Sequence, residues 1–259
     1  PSFHRESRDR APGSGLGPVL VELLHPDCCR SALRDLQRLR GEPLISYATV
    51  TGTKRNLCAL RTHGWRLLVV PSSAPPRIPR WETGEEAPFM LDNGAWGAFA
   101  SGRPWNADHF LRAVDVLGAH VDAIVAPDIV CGGQASLDLT LSHLPHLLTV
   151  GRPILIAVQN GMVPADLPPL GPGLGLFIGG DDRWKEDSAR MWGTHARAAG
   201  APCHMARVNT VRRIYLAAEA GCTSFDGTSC SRFAVNVPRL TNARRALPLD
   251  FLPQPNLSR

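Results

Sequence analysis

With 259 residues and a hydrophobic fraction of 44%, the chain can bury a substantial core as one large α/β domain and needs no second one. Its net charge of +5 rests on 28 Lys and Arg against 23 Asp and Glu. Lys54 and Lys185 are the only lysines, so the excess is guanidinium, which suits bidentate phosphate contacts and reads equally as a compositional arginine bias. No run approaches membrane-spanning length, Pro1 to Gly17 has no apolar signal-type stretch, and the seven cysteines are odd in number with no Cys-x-x-Cys pair. These features argue against a membrane protein, a disulfide framework and a zinc knuckle, and lead us to expect a cytoplasmic chain with reduced thiols.

Residues 1–40 read as an N-terminal extension, with Val19 to Leu24 a strand or helix and Ser31 to Arg40 a short charged helix. Residues 41–259 read as a single barrel domain. Leu44 to Ala48 is strand-like, Thr53 to Thr62 helical and Arg66 to Val70 strand-like, before a proline-rich excursion from Pro71 to Pro88. Phe89 to Leu91 is a short apolar strand ending in Asp92, and Asn93-Gly94 supplies the left-handed backbone of a tight exit. Asn106 to Leu117 is an amphipathic helix opened by Asn106 or Asp108. Asp122 to Asp128 is a second apolar run closed by a carboxylate, and Ser136 to Val150 is helical. Pro153 to Gly161 is a strand carrying Gln159 at its end, and Gly175 to Gly180 is one ending in paired glycines. A helix from Trp184 to Ala199, a strand from Cys203 to Val208 and a helix from Thr210 to Ala220 follow. A strand from Cys222 to Gly227, with Asp226 near its end, and a helix from Pro238 to Ala246 complete the pattern.

Counted from Leu44, the strand-like runs number eight, each followed by a helix or a helix-sized connection, as in a (β/α)8 TIM barrel. A doubly wound open sheet is the alternative. No Gly-x-Gly-x-x-Gly follows a strand, which disfavours a dinucleotide fold. In a barrel, Asp92, Asp128, Gln159, Gly179, Gly180 and Asp226 converge on one mouth, because each ends a different strand. Three carboxylates in one cavity are costly to desolvate unless they perform chemistry, and two of them can divide nucleophilic and acid/base work. Paired glycines let a planar ligand lie against the backbone and bond free N–H groups.

Each residue also has an ordinary reading. A lone Asp before Asn-Gly more often caps a helix or forms an Asx-turn. His204, between Cys203 and Met205, reads as a core residue or as one that supports the site from behind. Lys185 reads as a solvated helix position that could also reach a phosphate, and Asp181 and Asp182 read as helix caps. Arg207, Arg212 and Arg213 fit phosphate contacts and ordinary helix-surface charge equally well.

Leu91-Asp92-Asn93-Gly94-Ala95-Trp96 resembles the Asp-Ser-Gly-Gly-Phe stretch of the tRNA-guanine transglycosylase superfamily. Val158-Gln159-Asn160-Gly161 resembles its Val-Gln-Gly-Gly, and Ile178-Gly179-Gly180 its Gly-Gly on the sixth strand. Asp128 falls where that family has a base-reading Asp, and Val50-Thr51-Gly52-Thr53 is similar to its first-strand Pro-Val-Gly-Thr. Phe225-Asp226, followed by five residues and Arg232, matches its Phe-Asp motif. The matches run in family order from Val50 to Arg232.

The resemblance implies a barrel that exchanges guanine for a 7-deazaguanine in nucleic acid. Asp226 would be the nucleophile at C1′, kept ionised by Arg232 and left open by Gly227, and Asp92 the acid/base. Asp128 and Gln159 would read the base edge, Gly179 and Gly180 would give backbone contacts, and Trp96 and Met205 would stack on the two base faces. By their own charge and position, apart from the resemblance, Arg207, Arg212, Arg213, Arg232 and Lys185 are the candidates for phosphate contacts. The family's zinc ligands, a Cys-x-Cys-x-x-Cys and a later His, have no counterpart after Asp226. No zinc subdomain, metal or cofactor is therefore expected, and the chain is most similar to the compact phage-type members that act on DNA. The expected partners are nucleic acid, DNA ahead of tRNA, and a 7-deazaguanine base, with no membrane; a homodimer is left open. The alternatives are an N-glycoside hydrolase or transferase on small nucleosides and a non-catalytic nucleic-acid-binding partner of an active homologue.

Overall fold

Eight short apolar strands, nearly all of whose residues are buried or half-buried, have no face to leave in water, and they hide both faces by closing on themselves. A computed structural model describes residues 44–246. The N-terminal extension with its expected elements, Val19 to Leu24 and Ser31 to Arg40, lies outside the described residues. The strands are β1 (Ile45–Thr49), β2 (Arg66–Val69), β3 (Phe89–Leu91), β4 (Ile124–Val125), β5 (Ile154–Val158), β6 (Leu174–Ile178), β7 (Cys203–Met205) and β8 (Ser224–Gly227). They form a closed parallel barrel in sequence order, and β1 returns to β8 with Tyr47 opposite Asp226. The protein is a single-domain (β/α)8 TIM barrel.

The helices are α1 (Lys54–Thr62), α2 (Ala95–Ala100), α3 (Ala107–Leu117), α4 (Gly133–Leu148), α5 (Asp182–Ala198), α6 (Val211–Ala220), α7 (Ser229–Arg232) and α8 (Asn236–Arg245). Their starts are chemically marked: the side chains of Asn106, Asp181 and Thr210 accept from the backbone N–H groups of His109, Trp184 and Arg213. Two short helices escaped the sequence reading. Ala95–Ala100 follows the Asn93-Gly94 turn directly, Gly94 having φ 81°, and Ser229–Arg232 follows β8. Within the run from Asp122 to Asp128 the strand itself is only Ile124 and Val125.

Alternation along the strands splits the core into two layers. Tyr47, Leu68, Met90, Val125 and Leu155 pack together inside the barrel, while Ile154, Ile156, Val158, Cys203 and Met205 join the layer between strands and helices. The amino end of the barrel is closed by Asp122, which accepts from Tyr47 Oη at 3.0 Å and Arg66 Nη1 at 2.9 Å. The carboxyl end is left for the site. Among the described residues no helix is long and apolar enough to cross a membrane.

Candidate active site

The carboxyl ends of the strands surround a cavity of about 400 Å³ whose walls include Asp92, Asp128, Asp226, Gln159, Gly179, Gly180, Trp96 and Arg207. The three carboxylates therefore share one pocket, as their strand-end positions required, and each is held in a different way.

Asp226 is buried at the end of β8. Its Oδ1 receives His204 Nε2 at 3.1 Å and the Arg207 backbone N–H at 3.1 Å, while Oδ2 has no hydrogen-bond partner among the described residues. His204 is fully buried, stacked on Phe177 with ring centroids 4.9 Å apart and planes 6° apart, and its Nδ1 lies 2.9 Å from Ser224 Oγ. The imidazole is thus fixed on both nitrogens and one face, and it orients the carboxylate.

Asp128 has both oxygens engaged. Oδ1 accepts from Asn93 Nδ2 at 2.7 Å and Oδ2 from Gln159 Nε2. Burial raises this carboxyl to about 6, and the amides of Asn93 and Gln159 oppose the rise by stabilising its charge. Asp92 is half-buried at the end of β3, with Oδ1 accepting from the Asn93 N–H at 2.8 Å. Burial first, then the charges of Asp226 and Asp128, push it up to about 7, against the backbone N–H groups of Asn93 and Gly94. A carboxyl poised there can give and retake a proton at neutral pH.

Gln159 is buried and saturated on its oxygen, which accepts from Cys131 N–H at 3.0 Å and Gly180 N–H at 2.8 Å. Gly179 N–H goes to Val158 O at 3.0 Å, so neither glycine offers the free N–H expected of it. What they offer is closeness. A Cβ on Gly179 would sit 2.7 Å from Gln159 Nε2, and one on Gly180, at φ +71°, 2.6 Å from the Trp184 ring. Gly227 likewise serves packing and not access, since a Cβ there would lie 2.5 Å from Val208 O.

Trp96 is 45% exposed on α2, and the Arg207 guanidinium lies 4.0 Å above its ring while donating to Gly180 O. Arg207 holds this position from a left-handed backbone at φ 57°, a conformation uncommon outside glycine. Met205 does not stack in the pocket. It is fully buried in the outer layer, because alternation along β7 turns His204 inward and Met205 outward, and Ala206 lines the cavity instead.

One phosphate assignment, that of Lys185, also falls. Lys185 is fully buried, donates to Ala206 O at 2.8 Å and meets Asp182 at 3.3 Å, and burial lowers it to about 8. It props the β7 exit from behind, so it is neither a solvated residue nor a phosphate ligand. Arg232 is exposed on α7 and forms no ion pair with Asp226; His204 and the Arg207 N–H take that place. Arg212 pairs with Glu186 outside the cavity lining. Arg213 does reach the cavity, but Asp182 at 2.7 Å and Glu186 at 2.8 Å already match its charge.

Asn93 is the residue that the sequence reading undervalued. Its amide crosses from the β3 exit to Ala126 O at 2.6 Å and to Asp128, its own Oδ1 caps Ala95 N–H at 2.8 Å, and its carbonyl takes Trp105 Nε1 at 2.8 Å. Read as a turn former alone, it gave no sign of this. Among the described residues no group of three or more His, Cys, Asp or Glu side chains is arranged to hold a metal ion.

Fold and site together define a TIM barrel with a carboxylate-rich pocket. No protein-family model matches the chain, and no curated protein does. Among solved structures the chain is similar to one titled "Native KDPGal structure", with 14% identity over 79% of this chain and 95% of that one and a TM-score of 0.45. A likeness at that level has no bearing on function.

Proposed function

We propose that the protein is an enzyme, a base-exchange transglycosylase that replaces guanine in nucleic acid, DNA ahead of tRNA, with a 7-deazaguanine, as in the tRNA-guanine transglycosylase superfamily that its motifs resemble. The observation that carries the reading is the unequal environment of two carboxylates in one cavity. Asp226 is held by His204 and the Arg207 N–H with Oδ2 free, and Asp92 is held near 7 with only backbone N–H groups of its own turn as partners.

In this mechanism the base is turned out of its strand into the cavity, since C1′ is unreachable in a stacked helix. It lies on the Trp96 ring over Gly179, with its edge toward Asp128 and Gln159, and displaces the Arg207 guanidinium from the indole. Asp226 Oδ2 attacks C1′, the C1′–N9 bond breaks, its electron pair leaves with guanine, and Asp92 donates the proton that neutralises the departing base. A covalent sugar ester remains. The incoming 7-deazaguanine gives its N9 proton to Asp92 and attacks C1′, expelling the Asp226 carboxylate, so two inversions restore the original configuration.

The test is to incubate wild type, Asp92→Asn and Asp226→Asn with guanine-labelled DNA and tRNA, with and without a 7-deazaguanine, and to follow label release and intact-mass adducts. Wild type should release label catalytically when a base is available to replace it, and no more than about one equivalent per enzyme, matching the adduct, when none is. Asp226→Asn should form no adduct, and Asp92→Asn should exchange on the order of a hundred- to ten-thousand-fold more slowly. Folded wild type that releases no label from either nucleic acid would refute the proposal, and an adduct that persists in Asp226→Asn but vanishes in Asp92→Asn would reverse the two roles.

A further inference from the structure

A second cavity, of about 440 Å³, opens beside the first and shares Val70, Asn93 and Gly97 with it. Its size falls within the range of pockets that hold small organic groups. The short helix α2 stands between the two, and Trp96 and Phe99 project from it, 45% and 59% exposed, with ring centroids 5.8 Å apart.

The two cavities differ sharply in charge. The first is walled by Asp92, Asp128, Asp182 and Asp226 against Arg207 and Arg213, a net negative lining, whereas the second has Arg103 and no acidic side chain. Its polar groups are Arg103, His109, Asn106, Ser72 and Ser73. Arg103 is exposed, donates to Ser101 Oγ at 3.0 Å and forms no ion pair among the described residues, unlike Arg212 and Arg213 at the other rim. The amino end of α3 also opens here, through Asn106 and His109, and adds the positive end of a helix dipole. A phosphodiester repelled by the acidic pocket has a site one step away, next to aromatic faces of the kind on which unpaired bases stack.

We propose that the second cavity receives the nucleotide adjoining the one whose base is exchanged, with Arg103 on its phosphate and its base against the exposed Phe99 ring of α2. The proposal rests on the base-exchange reading and deepens it, since it makes the substrate an unpaired polynucleotide strand and not a free nucleoside.

Fluorescence anisotropy with a labelled single-stranded oligodeoxynucleotide containing one guanine, at 50 to 200 mM salt, tests it, with an RNA of the same sequence as a second arm and deoxyguanosine as a competitor. Arg103→Glu should weaken oligonucleotide binding roughly tenfold or more, and Arg103→Ala should reduce the slope of log affinity against log salt by about 1. Competition by deoxyguanosine should be unchanged in both. Phe99→Ala should weaken binding with an unaltered salt slope. Arg103→Glu protein that is folded by circular dichroism and binds the strand as wild type does, with the same salt slope, overturns the proposal. So does a parallel loss of deoxyguanosine binding. Arg103-dependent strand binding without any label release would leave the cavity assignment standing and remove the exchange reading; stronger binding of the RNA would support the cavity and reverse the choice of strand.

Discussion

Replacing Asp92 by asparagine removes a carboxyl that the fold prefers to keep protonated, and this should stabilise the protein while slowing it. Moving the group from its ordinary 3.8 to about 7 disfavours the ionised form by about 4 kcal/mol in the limit of a dry site. Asp92 is only half-buried and faces an open cavity, so solvent screening reduces this to about 2 kcal/mol. Between pH 4 and pH 7 the folded chain holds a proton here that the unfolded chain releases, so wild-type stability falls as pH rises through that window. Asparagine mimics the neutral carboxyl in shape and escapes the loss. Asp128, at about 6, titrates in both proteins, so all of its contribution but the coupling to Asp92 cancels from the difference. At about 2–4 °C per kcal/mol for a chain of this size, Asp92→Asn should melt with wild type near pH 4 and roughly 4–8 °C above it at pH 8. Differential scanning fluorimetry across that range is the assay. A melting difference that is flat with pH, or a variant less stable than wild type at pH 8, would refute the reasoning.

His204→Leu should slow formation of the sugar adduct about 30-fold, the equivalent of one hydrogen bond to a charged group, without changing affinity for the base, and His204→Gln, whose amide can replace the Nε2 donor, should recover part of the rate in single-turnover measurements. Gly193→Ala should cost roughly 2–3 kcal/mol in denaturant unfolding, because a Cβ there would sit 1.9 Å from Ala220 O and force α5 away from α6.

The barrel was legible because the apolar runs, the helix starts at Asn106 and Thr210 and the carboxylate after each of several strands are local signals. Side-chain parity in β7 was not. A strand buried on both faces reads as continuously apolar, and nothing in Cys203-His204-Met205-Ala206 says which of two neighbours points inward; the closed barrel decides, and it sends His204 to Asp226. Lys185 failed for a different reason. Its position with Ala189, Trp192, Gly193 and Ala196 on the buried stripe of α5 follows from helical spacing, but a charged residue at a helix start reads locally as a solvated one. The Arg207 backbone at φ 57° and the Asn93 bridge depend on contacts between loops of different strands, which no stretch of sequence carries.

Those same loop contacts decide which acid holds the proton. Asp128 accepts from one side-chain amide on each oxygen, and Asp226 accepts an imidazole and a backbone N–H on Oδ1; such donors stabilise a carboxylate and not a carboxylic acid. Asp92 has only backbone N–H groups of its own turn, from Asn93 and Gly94, and both of the other charges raise it. Asp92, raised to about 7 at the end of β3, is therefore the carboxyl placed to carry a proton, and the free Oδ2 of Asp226 stands across the pocket from it. Asn93 contributes to this difference between neighbours, since it turns the chain after Asp92 and spends its amide on Asp128, so one residue gives an amide donor to one acid and only its backbone N–H to the other.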